Sequence, residues 1–140
     1  MDNYMELRLP AESKNEAFAR NVIAAFCVEL NPTVDEIDDV KTVVSEAVTN
    51  CIVHAYADKK GEIILRAAID GRILHMEIED SGVGIKNIDE ARQPYYTSKP
   101  DEERSGMGFT IMESFMDGME IISKPEGGVT VKLTKDFRID

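Results

Sequence analysis

The sequence predicts an α+β two-layer sandwich, a mixed and mostly antiparallel sheet with helices packed on one face. Three observations lead there. "GEIILRAAID" and "RILHMEIED" alternate apolar and polar residues with the period of a half-buried strand, and Asp70-Gly71 between them is a hairpin signal. Two stretches, Ser13 to Glu16 and Thr33 to Glu36, have the Ser/Thr-x-x-Glu spacing of a capping box ahead of a helical pattern. The element order is strand, two helices, two strands, a long irregular stretch, then a helix and two strands, which groups the helices instead of alternating them with single strands.

Taken in order, "YMELRLP" is a first strand closed by Pro10. Ser13 opens a helix through about Leu30, and Thr33 opens a second that runs to about Tyr56. The hairpin follows, then an irregular stretch from Lys86 to Arg104 and a short helix from about Gly106 to Met116. The strands "MEIIS" and "VTVKL" flank the turn "KPEGG". The first helix has two apolar stripes, one with Phe18, Val22, Ala25 and Phe26, the other with Ala17, Ala24 and Val28. One is expected to face the core and the other is free for a second subunit.

A chain of 140 residues with 43% hydrophobic content suits one compact domain spanning residues 1–140. No apolar run approaches the roughly 20 residues of a membrane helix. "MDNYMELRLP" lacks the basic start and apolar stretch of a secretory signal, so the expected compartment is the cytoplasm. Cys27 and Cys51 fall among apolar helical residues and read as reduced core thiols, and two cysteines with two histidines make no zinc motif. A formal net charge of -11 argues against direct binding to nucleic acid or an anionic membrane, which require a basic footprint. It permits a basic protein partner, and it also serves solubility.

Three clusters have chemistry beyond packing. In "RILHMEIED", Leu74, Met76, Ile78 and Asp80 share one parity, so Asp80 faces inward with the core side chains. A buried carboxylate is costly unless donors meet it, which implies a structural partner or a ligand. In the second helix Glu46, Asn50 and His54 recur every four residues beside the apolar stripe, a carboxylate, an amide oxygen and an imidazole on one ridge. Mg²⁺ on a nucleotide takes few protein oxygens, and Asn50 could be one of them. Gly106-Met107-Gly108 precedes a helix whose free N–H groups and dipole would favour an anion. Each cluster also has a plain reading: a satisfied core acid, a solvated helix flank and a tight turn.

Together "EAVTN", "DSGVG" and "RSGMGF" resemble the three boxes of the ATP-binding fold shared by sensor histidine kinases and type II topoisomerases, the GHKL or Bergerat fold. The stretches "KTVVSEAVTN", "EARQP" and "RSGMGFTIMESFMD" bring the resemblance closer to the anti-sigma factor serine kinases, over nearly the whole chain. The resemblance implies ATP or ADP with Mg²⁺ as cofactors. Asp80 would accept from the adenine amino group, Gly82 and Gly84 would let backbone approach the base, and Glu46 would be the general base. Asn50 would ligate Mg²⁺, His54 would lie on the ATP face, and Arg104, Ser105, Gly106, Met107, Gly108 and Phe109 would contact phosphate. Residues of about 86–104 would form the ATP lid.

The partners implied are a sporulation sigma factor of the sigma F type, held inactive, and an anti-anti-sigma protein whose serine is phosphorylated. Glu16 and Arg20, one helical turn apart, would contact a partner instead of forming only an exposed ion pair. A homodimer is implied too. Relatives place Gly-Thr where this chain has Gly128-Val129, and parity points Val129, Val131 and Leu133 inward and Thr130 outward, unless a bulge intervenes. The alternatives are a stress-response anti-sigma serine kinase and a nucleotide-gated binding module without kinase activity.

Overall fold

The computed structural model describes residues 2–55, 61–82, 108–124 and 127–137. Five strands form one sheet in the order β1-β2-β3-β5-β4: β1 (Asn3–Pro10), β2 (Glu62–Asp70), β3 (Ile73–Asp80), β4 (Gly118–Ser123) and β5 (Val129–Asp136). All four ladders are antiparallel, so no parallel pair occurs among the described residues. Alternation sets which side chains are buried. Ile63, Leu65, Ala67 and Ile69 of β2 join Leu74, Met76 and Ile78 of β3 and Val131 and Leu133 of β5 on the face that the helices cover.

Helices α1 (Lys14–Phe26), α2 (Val34–Asn50) and α3 (Gly108–Phe115) supply the other layer, with α2 packed against both α1 and α3. Val40, Val43, Val44, Ala47 and Val48 of α2 are buried, together with Met112 of α3. This is the predicted two-layer sandwich with its core between sheet and helices. On the outer face Arg66 of β2 donates to Glu6 of β1 at 3.0 Å and to Glu79 of β3 at 2.6 Å. Lys124 crosses β5 to reach the same Glu79 at 3.2 Å.

The helix ends depart from the sequence reading in three places. At Thr33 the capping box forms as expected, Glu36 N–H donating to Thr33 Oγ1 at 3.1 Å and Thr33 N–H to Glu36 Oε1 at 2.8 Å. At Ser13 it does not form. Ser13 is itself in a right-handed helical conformation and makes no side-chain cap bond, because a capping side chain needs the extended backbone that Thr33 has. Glu16, the other half of the expected box, is instead engaged by the Ser45 hydroxyl of α2. The α-helical part of the first helix ends at Phe26, and Cys27–Leu30 tightens into a 3₁₀ turn closed by Asn31 at φ 51°.

The second correction concerns the face α1 buries. Neither predicted stripe is the core seam; Ala19, Ile23 and Cys27 are, leaving Phe18 52% and Val28 69% exposed. This seam packs α1 against α2. The third concerns α2, which stops at Asn50 and continues through Cys51–Ala55 as a π-helical turn. Asn50 and His54 are therefore no longer one α-helical turn apart.

Candidate functional site

The site is built where the end of β3, the start of β5 and the end of α2 meet. Asp80 is the last residue of β3, 6% exposed, on the helix-covered face as its parity requires. Among the described residues its carboxylate has three donors: Gly82 N–H reaches Oδ1 at 3.0 Å, Val129 N–H reaches Oδ1 at 3.3 Å, and the Cys51 thiol reaches Oδ2 at 3.6 Å. Two backbone amides thus fix one oxygen, while the other has a weak sulfur donor and spare acceptor capacity. Burial pushes the Asp80 carboxyl above its ordinary value, and these three hydrogen bonds pull it part of the way back.

The next residue on the chain behaves oppositely. Glu79 points to the outer face, where the Arg66 guanidinium and, after a smaller opposing effect of burial, the Lys124 ammonium hold its carboxyl below the usual range. Among the described residues, one peptide bond separates a carboxylate matched by protein cations from one that is not.

Two glycines shape the approach of β5 to this strand end. Gly127 and Gly128 have φ of 108° and 98°, where L side chains are strained. A Cβ on Gly128 would stand 2.6 Å from the Asp80 carbonyl oxygen, and one on Gly127 would stand 2.9 Å from that of Gly82. Their bareness lets Val129 lie opposite Asp80 in the ladder and Thr130 opposite Glu79. No bulge intervenes, so Val129 faces inward and Thr130 outward, as parity predicted. Thr130 is buried even so, at 7% exposure, on the face where Lys124 reaches across β5.

The other predicted site residues lie on α2 and the turn after it, on α3, on α1, or outside the described residues. Asn50 closes α2 immediately before Cys51, the residue that touches Asp80, and Glu46 lies one turn earlier; both are half-buried. Gly108 starts α3 and is buried, while Phe109 packs against the core, so its amide and not its ring is available for an anion. Glu16 and Arg20 lie on α1, away from β3 in the chain but tied to α2: Glu16 pairs with Arg20 at 3.6 Å and accepts from Ser45, the neighbour of Glu46. The Arg20 Nε is buried without a hydrogen-bond partner among the described residues. The backbone of His54 lies in the π turn. Gly84, Arg104, Ser105, Gly106, Met107 and the expected lid lie outside the described residues.

Sequence reasoning missed two contributors. Cys51 had been read only as a core thiol, and its place directly after Asn50 gives no sign of a partner on β3. Gly127 and Gly128 had been read only as a turn, and the only hint of close approach was that there are two of them.

The geometry at Asp80 suits a ligand with a hydrogen-bond donor, and comparison with known proteins identifies the fold. Residues 9–135 match the model of the histidine kinase-like ATPase domain family. An anti-sigma F factor of Clostridium acetobutylicum is 51% identical over 99% of this chain and 97% of its own length. The chain belongs to the anti-sigma F factor family of histidine kinase-like ATPase domains. Other anti-sigma F factors are similarly related, that of Anoxybacillus flavithermus at 54% identity and that of Bacillus subtilis at 51%, each over 96% of this chain and 93% of the relative. A crystal structure of the RsbU and RsbW domains of a Mycobacterium tuberculosis protein shares the fold with a TM-score of 0.70 at 21% identity, covering 96% of this chain and 32% of that one. The histidine kinase-like ATPase domain implies nucleotide binding. No helix among the described residues is long and apolar enough to cross a membrane.

Proposed function

We propose that this anti-sigma F factor relative binds Mg-ATP, holds a sporulation sigma factor inactive, and phosphorylates a serine of its anti-anti-sigma protein in the cytoplasm. The observation that supports nucleotide binding best is the Asp80 carboxylate, with Oδ1 held by two backbone amides and Oδ2 met, among the described residues, by a thiol alone. The exocyclic amino group of adenine would supply a stronger donor to this oxygen. Neither an adenine nor a Mg²⁺ ion requires a cluster of acids, and the amide oxygen of Asn50 at the end of α2 suits the single protein ligand such an ion takes.

Catalysis in this reading is positioning and charge neutralisation. Mg²⁺ supplies charge compensation for the triphosphate. The Asn50 amide oxygen would hold the metal, the N–H groups of the first turn of α3 at Gly108 and Phe109 would meet the anion, and by resemblance Arg104, Ser105, Gly106 and Met107, outside the described residues, would join them. The serine hydroxyl oxygen of the partner protein attacks the γ-phosphorus while the bond from that phosphorus to the β–γ bridging oxygen breaks. ADP leaves with the bond's electron pair, and Glu46 accepts the hydroxyl proton. Gly82, and by resemblance Gly84, would let backbone approach the base, and the backbone of His54 lies in the turn that follows α2.

The test is transfer of labelled γ-phosphate from ATP to a purified anti-anti-sigma protein in the presence of Mg²⁺. The wild type should phosphorylate a serine, and Glu46→Gln should bind ATP yet lose about 10²- to 10⁴-fold in transfer rate, the usual worth of a general base. ATP binding without transfer by the wild type would reduce the protein to a nucleotide-gated binder. Undiminished transfer by Glu46→Gln would remove Glu46 from the chemistry.

A further inference from the structure

We propose that Cys51 is a positioning residue for base recognition, its thiol donating to Asp80 Oδ2 so that the carboxylate is held in the one orientation that meets an amino-purine. This rests on the reading of Asp80 as the base acceptor and adds to it a second protein group that sets the acceptor's geometry.

The contact is the only side-chain donor given to Oδ2 among the described residues, at 3.6 Å, within the reach of a sulfur hydrogen bond. Cys51 is 5% exposed, and its sulfur lies within hydrogen-bond reach of Asp80 Oδ2, the thiol donating and the carboxylate accepting. Without it, Asp80 would be anchored through Oδ1 alone, by Gly82 and Val129, and the carboxylate could turn about its last bond.

The backbone is arranged to produce the contact. Helix α2 is α-helical through Asn50, and the π-helical turn begins at Cys51 itself. The Cys51 N–H is shared between the carbonyls of Ala47 and Val48. Single π-helical turns are rare and frequent at functional sites. Here the turn starts at the residue whose thiol reaches Asp80, directly beside the proposed metal ligand Asn50.

One donor uses one lone pair of Oδ2, so the thiol fixes its direction and leaves acceptor capacity for a second, stronger donor. A 6-amino-purine presents that donor. A 6-oxo-purine presents a carbonyl oxygen to a carboxylate that cannot swing away, so fixing Asp80 sharpens discrimination between ADP and GDP.

The experiment titrates ADP and GDP into wild type, Cys51→Val, Cys51→Ser and Asp80→Asn by calorimetry, with thermal unfolding of each protein alone. Valine keeps the apolar volume and removes the donor; serine keeps a donor. Cys51→Val should lose about two- to tenfold in ADP affinity, the fold-change of one hydrogen bond. It should also narrow the ADP-to-GDP ratio, while Cys51→Ser restores most of both even if serine melts at the lower temperature. ADP affinity and ADP-to-GDP ratio equal to wild type in Cys51→Val would overturn the proposal, as would losses that follow melting temperature instead of donor presence across the two variants. Unchanged ADP affinity in Asp80→Asn would instead overturn the base-acceptor reading beneath it.

Discussion

Val129 lies directly opposite Asp80 across β3 and β5, and its N–H donates to the Asp80 carboxylate at 3.3 Å. The backbone of the residue that faces the base acceptor thus serves that acceptor, while its side chain adds an isopropyl group to the same face. Val129→Thr would place a hydroxyl there, able to order a water beside Asp80. ADP should bind more tightly by about 0.5 to 1.5 kcal/mol, one ordinary hydrogen bond. Thr130→Val, on the opposite face, should leave ADP affinity unchanged by calorimetry; a large loss at Thr130 with no gain at Val129 would contradict the register.

Gly128→Ala should be among the most damaging small substitutions in the chain. It forces a side chain to φ 98° and sets its Cβ 2.6 Å from the Asp80 carbonyl oxygen. The backbone conformation alone costs about 1–3 kcal/mol, and relief of the clash must move β5 away from Asp80. Urea unfolding and ADP titration should both show losses. Wild-type stability in this variant would mean that the strand end yields without cost.

Arg20→Glu should weaken binding of the sigma factor or the anti-anti-sigma protein while leaving ADP affinity intact. Arg20 is paired with Glu16 at 3.6 Å, yet its Nε is buried without a partner among the described residues, so a partner's carboxylate would find a donor already desolvated. Pull-down binding equal to wild type would leave only the ion pair with Glu16.

Adjacent carboxylates should give opposite pH dependences of unfolding. Glu79 is held below the usual range by Arg66 and Lys124, so its contribution is present above the unfolded value of 4.5 and is lost as pH falls through its folded value. Asp80 is raised above 3.8 by burial, so the ligand-free protein has an ionisation penalty at neutral pH that disappears as pH falls through the folded value. On acidification, wild type should lose stability relative to Glu79→Gln and gain it relative to Asp80→Asn in thermal scans. Parallel behaviour of the two pairs would contradict the assignment of the faces.

The alternation of β3 made the inward placement of Asp80 legible, because period two leaves a strand residue only two faces. The Thr33 capping box was equally legible, being complete within four residues. What stayed hidden depends on distant partners. Glu16 had the spacing to cap Ser13, but Ser45 on another helix engages it. The core seam of α1 fell on Ala19, Ile23 and Cys27 and left Phe18 exposed, a choice set by how α1 is rotated against α2 and not by apolar spacing within the helix. Nothing in "TNCIV" announces that the helix widens after Asn50 or that the cysteine then reaches β3.

Asp80 is where the sheet, the π-helical turn and the glycine pair converge, so its exchange for asparagine probes the account most directly. Calorimetric titration of ADP into wild type and Asp80→Asn should show a loss of affinity of at least about tenfold, since the amide must turn its oxygen to adenine and then faces the Gly82 and Val129 N–H groups with its own NH₂. ATP should lose by the same factor, because the change lies at the base and not at the phosphates. Equal affinity of the two proteins for ADP would contradict the account at its centre.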